Sequence, residues 1–103
     1  MSVIVVATIT PLEGHLQDVL DALAVSVPLV HEEPGCELYS AHTDGKIVIM
    51  VERWASQEAL DVHAAGANLV TFGKLAGGYL AGPPVVETLR AVPLGDPVKG
   101  AIQ

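Results

Sequence analysis

The sequence predicts an α+β fold, a ferredoxin-like split βαβ unit with an antiparallel sheet, and three observations carry that reading. β-Branched and bulky residues run nearly unbroken through 3–10 and 47–51, as in strands covered on both faces. Apolar residues at Leu12, Leu16, Val19, Leu20, Leu23, Val27 and Val30 recur at steps of three and four, which is one face of a helix. Thr43-Asp44-Gly45, of residue types that tolerate left-handed geometry, separates two strand-like runs and marks a hairpin. The resulting order is strand, helix, hairpin, helix, strand.

The first strand is expected over 3–10, stopping where Pro11 biases Thr10 to extended geometry. The helix is expected from Leu12 onward, with Gln17, Asp18 and Asp21 on its polar side. Pro28 removes a backbone donor inside it, so its regular part should kink or end near Val27. The hairpin pairs strands at 36–42 and 46–54. Ser56 is placed to accept from the free N–H groups of the next helix, Glu58 lies in its first turn, and Leu60 and His63 share a side. Ala64-Ala65-Gly66-Ala67 loosens the chain, after which Asn68 is the expected cap of a further helical piece that turns Leu69, Phe72, Leu75, Ala76 and Tyr79 inward. A last strand is expected over 85–92. The domain thus spans 1–92, followed by a Pro- and Gly-bearing tail over 93–103.

At 103 residues the chain holds one core, since two would each be too small. Half the residues are hydrophobic and 17% are charged, more apolar surface than a small monomer usually hides. Helices on one sheet face leave the other face bare, and a second copy of the sheet is the simplest cover, giving a two-fold dimer with a barrel-like core. A net charge of −7 with five scattered Lys and Arg argues against a nucleic-acid partner. No apolar run reaches the roughly 20 residues that cross a bilayer and no basic segment precedes residues 3–6, so a cytoplasmic protein without a membrane partner is expected. Cys36 is alone and reads as packing. His15, His31 and His42 sit on separate elements, and no two histidines form a short ligand spacing, so no metal is expected.

Chemistry points to one stretch, where an apolar strand ends in Glu52-Arg53-Trp54 and the following helix carries His63. Together with Glu33-Pro34-Gly35-Cys36, Tyr39, the run Ser56 to Leu60 and a strand after Pro83-Pro84, it resembles the antibiotic biosynthesis monooxygenase family, including its quinol monooxygenase-like members. The resemblance covers residues 3–92. It implies a dimeric α+β barrel, a homodimer, no metal, flavin or other cofactor in the active site, and oxygenation of an electron-rich phenol, anthrone or quinol by O₂.

The chemistry asks little of the protein. A phenol or hydroquinone deprotonated in an apolar pocket can pass an electron to O₂, so the protein must exclude water, orient the ring and take a proton. His63 is the general-base candidate, because an imidazole titrates near neutrality. Glu52, on the same strand face as Trp54, is the candidate to orient His63 or raise its basicity. Trp54, Met50, Tyr39, Phe72 and Tyr79 are the candidate substrate-binding residues. A structural use stands beside each: His63 can hold its helix to the sheet, Glu52 can pair with a base or a backbone N–H, and buried Trp is core more often than active-site wall. Arg53, of opposite parity, should face a partner subunit. Polyketide-oxidising members carry a polar residue where this chain has Met50, which argues against an anthrone. Haem-degrading relatives need an axial His on the later helix, and none lies near Phe72-Gly73. The reading from a different class is a non-catalytic, ligand-binding or stress-associated dimeric module of the same fold.

Overall fold

The computed structural model describes residues 2–102. Among them the elements run β1 (Val3–Ile9), α1 (Leu16–His31), β2 (Cys36–Thr43), β3 (Val48–Trp54), α2 (Gln57–Ala64), α3 (Ala67–Ala76) and β4 (Val85–Leu89), with a 3₁₀ turn at Gly77–Tyr79. The strands are hydrogen-bonded in the order β2-β3-β1-β4, every pair antiparallel. This is the ferredoxin-like α+β fold expected from the element order.

Alternation along β3 sets the two faces of the sheet. Val48, Met50, Glu52 and Trp54 are buried, while Ile49, Val51 and Arg53 on the opposite face are only partly so. The inner row joins Val5, Ala7 and Ile9 of β1, Val19, Ala22, Leu23 and Val30 of α1, and Phe72 and Ala76 of α3 in one core. Each fully buried side chain of this size contributes about 1.5–3 kcal/mol. The outer face of β1 and β3 carries Val6, Thr8, Ile49 and Val51, all only partly buried. Residues 90–102 form neither helix nor strand, but they return across this face, where Arg53 Nη1 donates to the Ile102 carbonyl at 3.0 Å. Arg53 has the predicted parity, and within the chain it pairs with Glu37.

Several expectations need correction. The first helix begins at Leu16, because Gly14 at φ +81° turns the chain and His15 N–H bonds back to Leu12. Pro28 neither ends nor delimits it, and α1 continues to His31. Two residues after it are well anchored: Val30 is buried, and His31 Nε2 donates to the Tyr39 carbonyl at 2.9 Å. Those contacts outweigh one missing donor. Gly66, not Asn68, occupies the N-cap of α3, and Leu75 and Tyr79 lie exposed rather than inward. Ser56 caps α2 as expected, accepting from Ala59 N–H at 3.1 Å. The last strand stops at Leu89, and all five of its residues are exposed. Among the described residues no helix is long and apolar enough to cross a membrane.

Two backbone details place the site. A register shift between Cys36 and Leu38 sets Cys36 opposite Trp54 and Leu38 opposite Arg53. The turn ahead of it, residues 32–35, closes on Gly35 at φ +82°, whose carbonyl accepts from Ala55 N–H at 2.8 Å. A Cβ at Gly35 would sit 2.5 Å from the Ala59 Cβ, so this turn lies directly against α2. Gly35→Ala is expected to cost at least about 1–2 kcal/mol from the left-handed backbone alone. The added clash should be relieved in the double variant with Ala59→Gly. Urea unfolding of both proteins checks this, and a single variant as stable as the parent refutes it.

Candidate functional site

The turn and the α2 cap converge on His63. Its Nδ1 lies 3.0 and 3.2 Å from the two carboxylate oxygens of Glu33, which in turn accepts from Asn68 Nδ2 at 2.8 Å. Asn68 also donates to the Leu29 carbonyl at 3.2 Å, tying α3 to the end of α1. A carboxylate can only accept, so Nδ1 carries a proton, and in the neutral imidazole the lone pair is then on Nε2. The ring lies tilted by 30° over Trp54 at 4.4 Å between centroids, with the Tyr39 ring edge-on at 5.5 Å. Trp54 Nε1 donates to Glu52 Oε1 at 3.0 Å, beneath the imidazole.

These groups stand at one end of a cavity of about 270 Å³ between helices and sheet. Its wall includes Val5, Ala7, Met50, Leu60, Phe72 and Leu23, with Pro84 and the exposed Val86 from the β4 side. His63, Glu52 and Tyr39 supply its side-chain polar atoms. Every fully enclosed side-chain nitrogen or oxygen among the described residues has a partner. His63 Nε2, Glu52 Oε2 and the Tyr39 hydroxyl make no hydrogen bond among the described residues. They line this cavity, and it is into this cavity that they open.

Of the residues singled out from the sequence, the fold gathers His63, Glu52, Met50, Tyr39 and Phe72 on the cavity. Trp54 is fully buried one layer behind, backing the imidazole rather than lining the space. Tyr79 lies elsewhere, stacked on His15 at 5.2 Å. The carboxylate hydrogen-bonded to His63 is that of Glu33, while Glu52 is bonded to Trp54. Glu33 and Asn68, one part of the turn motif and the other an expected helix cap, join the site through contacts that span 30 and 35 residues. An acidic residue directly before a Pro-Gly turn that abuts the next helix was the available signal.

Burial raises the Glu52 pKa, an effect that Glu33 adds to and that the Trp54 hydrogen bond and His63 partly offset. Burial, followed by the charges of Glu52 and Glu33, holds the Tyr39 phenol well above its usual range, so it stays a donor. Burial and Glu33 likewise push the Cys36 thiol up, away from the reactive thiolate. Among the described residues no cluster of three or more His, Cys, Asp or Glu could hold a metal ion.

The Glu52 shift has a consequence for stability. A carboxyl easier to protonate in the fold than in the unfolded chain binds more protons in the native state between the two pKa values. Stability therefore falls as pH rises through that window. Glu52→Gln keeps an acceptor for Trp54 and removes the charge. It is expected to melt above the parent at pH 8, the gap closing as pH falls below the unfolded value. A gap that is constant with pH in thermal melts contradicts this origin.

Comparison with known proteins agrees with this fold. The sequence model of the antibiotic biosynthesis monooxygenase family matches residues 2–74. No curated protein matches the chain. Among solved structures, Rv0793 from Mycobacterium tuberculosis is 26% identical at a TM-score of 0.78, over 93% of this chain and 98% of its own. A Caulobacter crescentus CB15 protein provisionally described as an antibiotic biosynthesis monooxygenase is 28% identical at 0.78, over 88% and 90%. A conserved protein from Methanosarcina mazei Go1, 19% identical over 87% and 92%, shares the fold at 0.80.

Proposed function

The chain belongs to the antibiotic biosynthesis monooxygenase family, and from that premise we propose that it is a cofactor-independent monooxygenase oxidising a small aromatic quinol or phenol with O₂. The observation that carries this reading is His63, whose Nδ1 is fixed by Glu33 and whose Nε2 opens on the cavity. In this reading Nε2 takes the proton of a substrate hydroxyl, and the apolar walls keep the resulting anion poorly solvated and electron-rich. The anion gives an electron to O₂, the two radicals join at a ring carbon, and the peroxide loses water as its O–O bond breaks. A quinol and O₂ thus yield a hydroxyquinone and water. Tyr39, held protonated, donates to the peroxide oxygen.

The outer sheet face supports a homodimer in which a second copy covers Val6, Ile49 and Val51, and light scattering at working concentration reads that assembly directly. Oxygen uptake with a panel of hydroquinones tests the chemistry. Expected is uptake above the uncatalysed blank, with one atom of isotope-labelled O₂ in the product. Ligands that raise the melting temperature without consuming O₂ would instead favour the non-catalytic binding module.

A further inference from the structure

Glu33 reaches His63 from a turn rather than from a helix or strand, and its side chain is 16% exposed. An acid so placed is free to swing into water unless something holds it. Among the described residues no Lys or Arg pairs with it, and its carboxylate accepts from two side chains, His63 on α2 and Asn68 on α3, the latter at 2.8 Å to Oε2. Asn68 is therefore the one hold on Glu33, among those residues, that does not come from the imidazole itself.

The amide of Asn68 suits that task. Its nitrogen lies within reach of two acceptors, the Glu33 carboxylate and the Leu29 carbonyl at 3.2 Å, so both N–H groups are spent and the amide oxygen cannot take their place. The Leu29 carbonyl belongs to α1, so the amide is braced on a helix instead of on the turn it holds. With Glu33 pinned there, Nδ1 of His63 carries a proton; with the carboxylate swung out, the neutral ring is free to carry it on Nε2, aimed into the cavity. That second tautomer cannot take a proton from a hydroxyl in the cavity.

We propose that Asn68 is a positioning residue of this site: by clamping the Glu33 carboxylate from α3, it holds His63 in the tautomer whose lone pair faces the cavity. Asn68 does not line the cavity and acts only through Glu33. The consequence for turnover rests on His63 being the base of the oxygenase reading, whereas the tautomer itself does not.

Nitrogen-15 spectra of the imidazole side chains, recorded above neutral pH where a free imidazole is uncharged, distinguish the two tautomers without any substrate. His63→Gln assigns the signal. The parent is expected to show His63 mainly as the Nδ1–H form, and in Asn68→Ala the ratio of Nδ1–H to Nε2–H is expected to fall at least about fivefold, on the scale of a hydrogen bond to a charged acceptor. Asn68→Asp keeps the shape but lacks the N–H groups, and it carries the test if the alanine variant does not fold. A double-mutant cycle separates positioning from scaffolding: in a Glu33→Ala background the Asn68→Ala step should leave the ratio within about twofold, while the melting temperature still drops through the lost Leu29 contact. With a hydroquinone that the parent oxygenates, Asn68→Ala should lose kcat and keep KM. A parent dominated by Nε2–H, a fall smaller than about fivefold, a step larger than about twofold without Glu33, or an unaltered kcat beside a shifted ratio each overturn the proposal. Ratios that move as expected in a protein that consumes no O₂ sink the oxygenase reading and leave the clamp standing. Oxygenation with ratios that do not move does the reverse.

Discussion

Exchange of His63 for glutamine is expected to lower kcat/KM for the oxygenated substrate by roughly 10²–10⁴-fold, the contribution of a positioned base. Glutamine keeps an N–H for Glu33 and most of the ring's volume over Trp54, so the fold should survive, but it offers no lone pair able to take a hydroxyl proton. The expected signature is a collapse in kcat with KM changed little, because the interaction lost is one made as the proton moves. Steady-state O₂ uptake measures it, and a circular dichroism melt confirms that the protein is folded. Glu33→Gln should fall between parent and His63→Gln, since it acts only by fixing which ring nitrogen carries the proton. Unaltered turnover in His63→Gln would remove the imidazole from the mechanism.

Trp54→Ala is expected to cost about 3–5 kcal/mol, the range for emptying a buried indole site. Trp54 is fully buried, the largest side chain so enclosed, and it touches both sides of the polar pair. Its ring supports His63, and its Nε1 satisfies one oxygen of Glu52. Alanine therefore leaves a void and also strands a buried carboxylate oxygen without its donor. Trp54→Phe keeps most of the volume and loses only the donor, so the difference between the two variants in denaturant unfolding divides packing from hydrogen bonding. If alanine costs under about 1 kcal/mol, the site collapses or takes up water more easily than its packing implies.

Local chemistry made most of the fold legible in the sequence. β-Branched runs gave β1 and β3, the turn after His42 gave the hairpin, and Ser56 gave the start of α2, because each signal acts over a few neighbouring residues. Reading failed where distant contacts overrule local preference. Proline at position 28 lowers helix propensity, yet Val30 and His31 beyond it are anchored to the sheet and the helix persists. Asn68 has the chemistry of a cap, but its amide is engaged by Glu33 and Leu29. The site divided in the same way. His63 and Glu52 stood out by their place on a helix and a strand end, whereas pairing His63 with Glu33 needed the turn, the cap and the Gly35–Ala59 contact all at once. Tyr79 followed helical spacing inward on paper, but the chain switches to a 3₁₀ turn at Gly77 and carries it toward His15.

The extra residue in β2 decides how much negative charge the interior must bear. Counted back from Tyr39 opposite Glu52 and Leu38 opposite Arg53, an unbroken ladder would put Glu37 across from Trp54, pointing inward toward two acids already there. The irregularity hands that place to the thiol of Cys36 and throws Glu37 to the far side, where it meets Arg53 and the Ser2 hydroxyl. The same sequence paired without the irregularity would enclose three like charges around a single imidazole, a burden that a chain of this size could shed only by taking up protons or by unfolding.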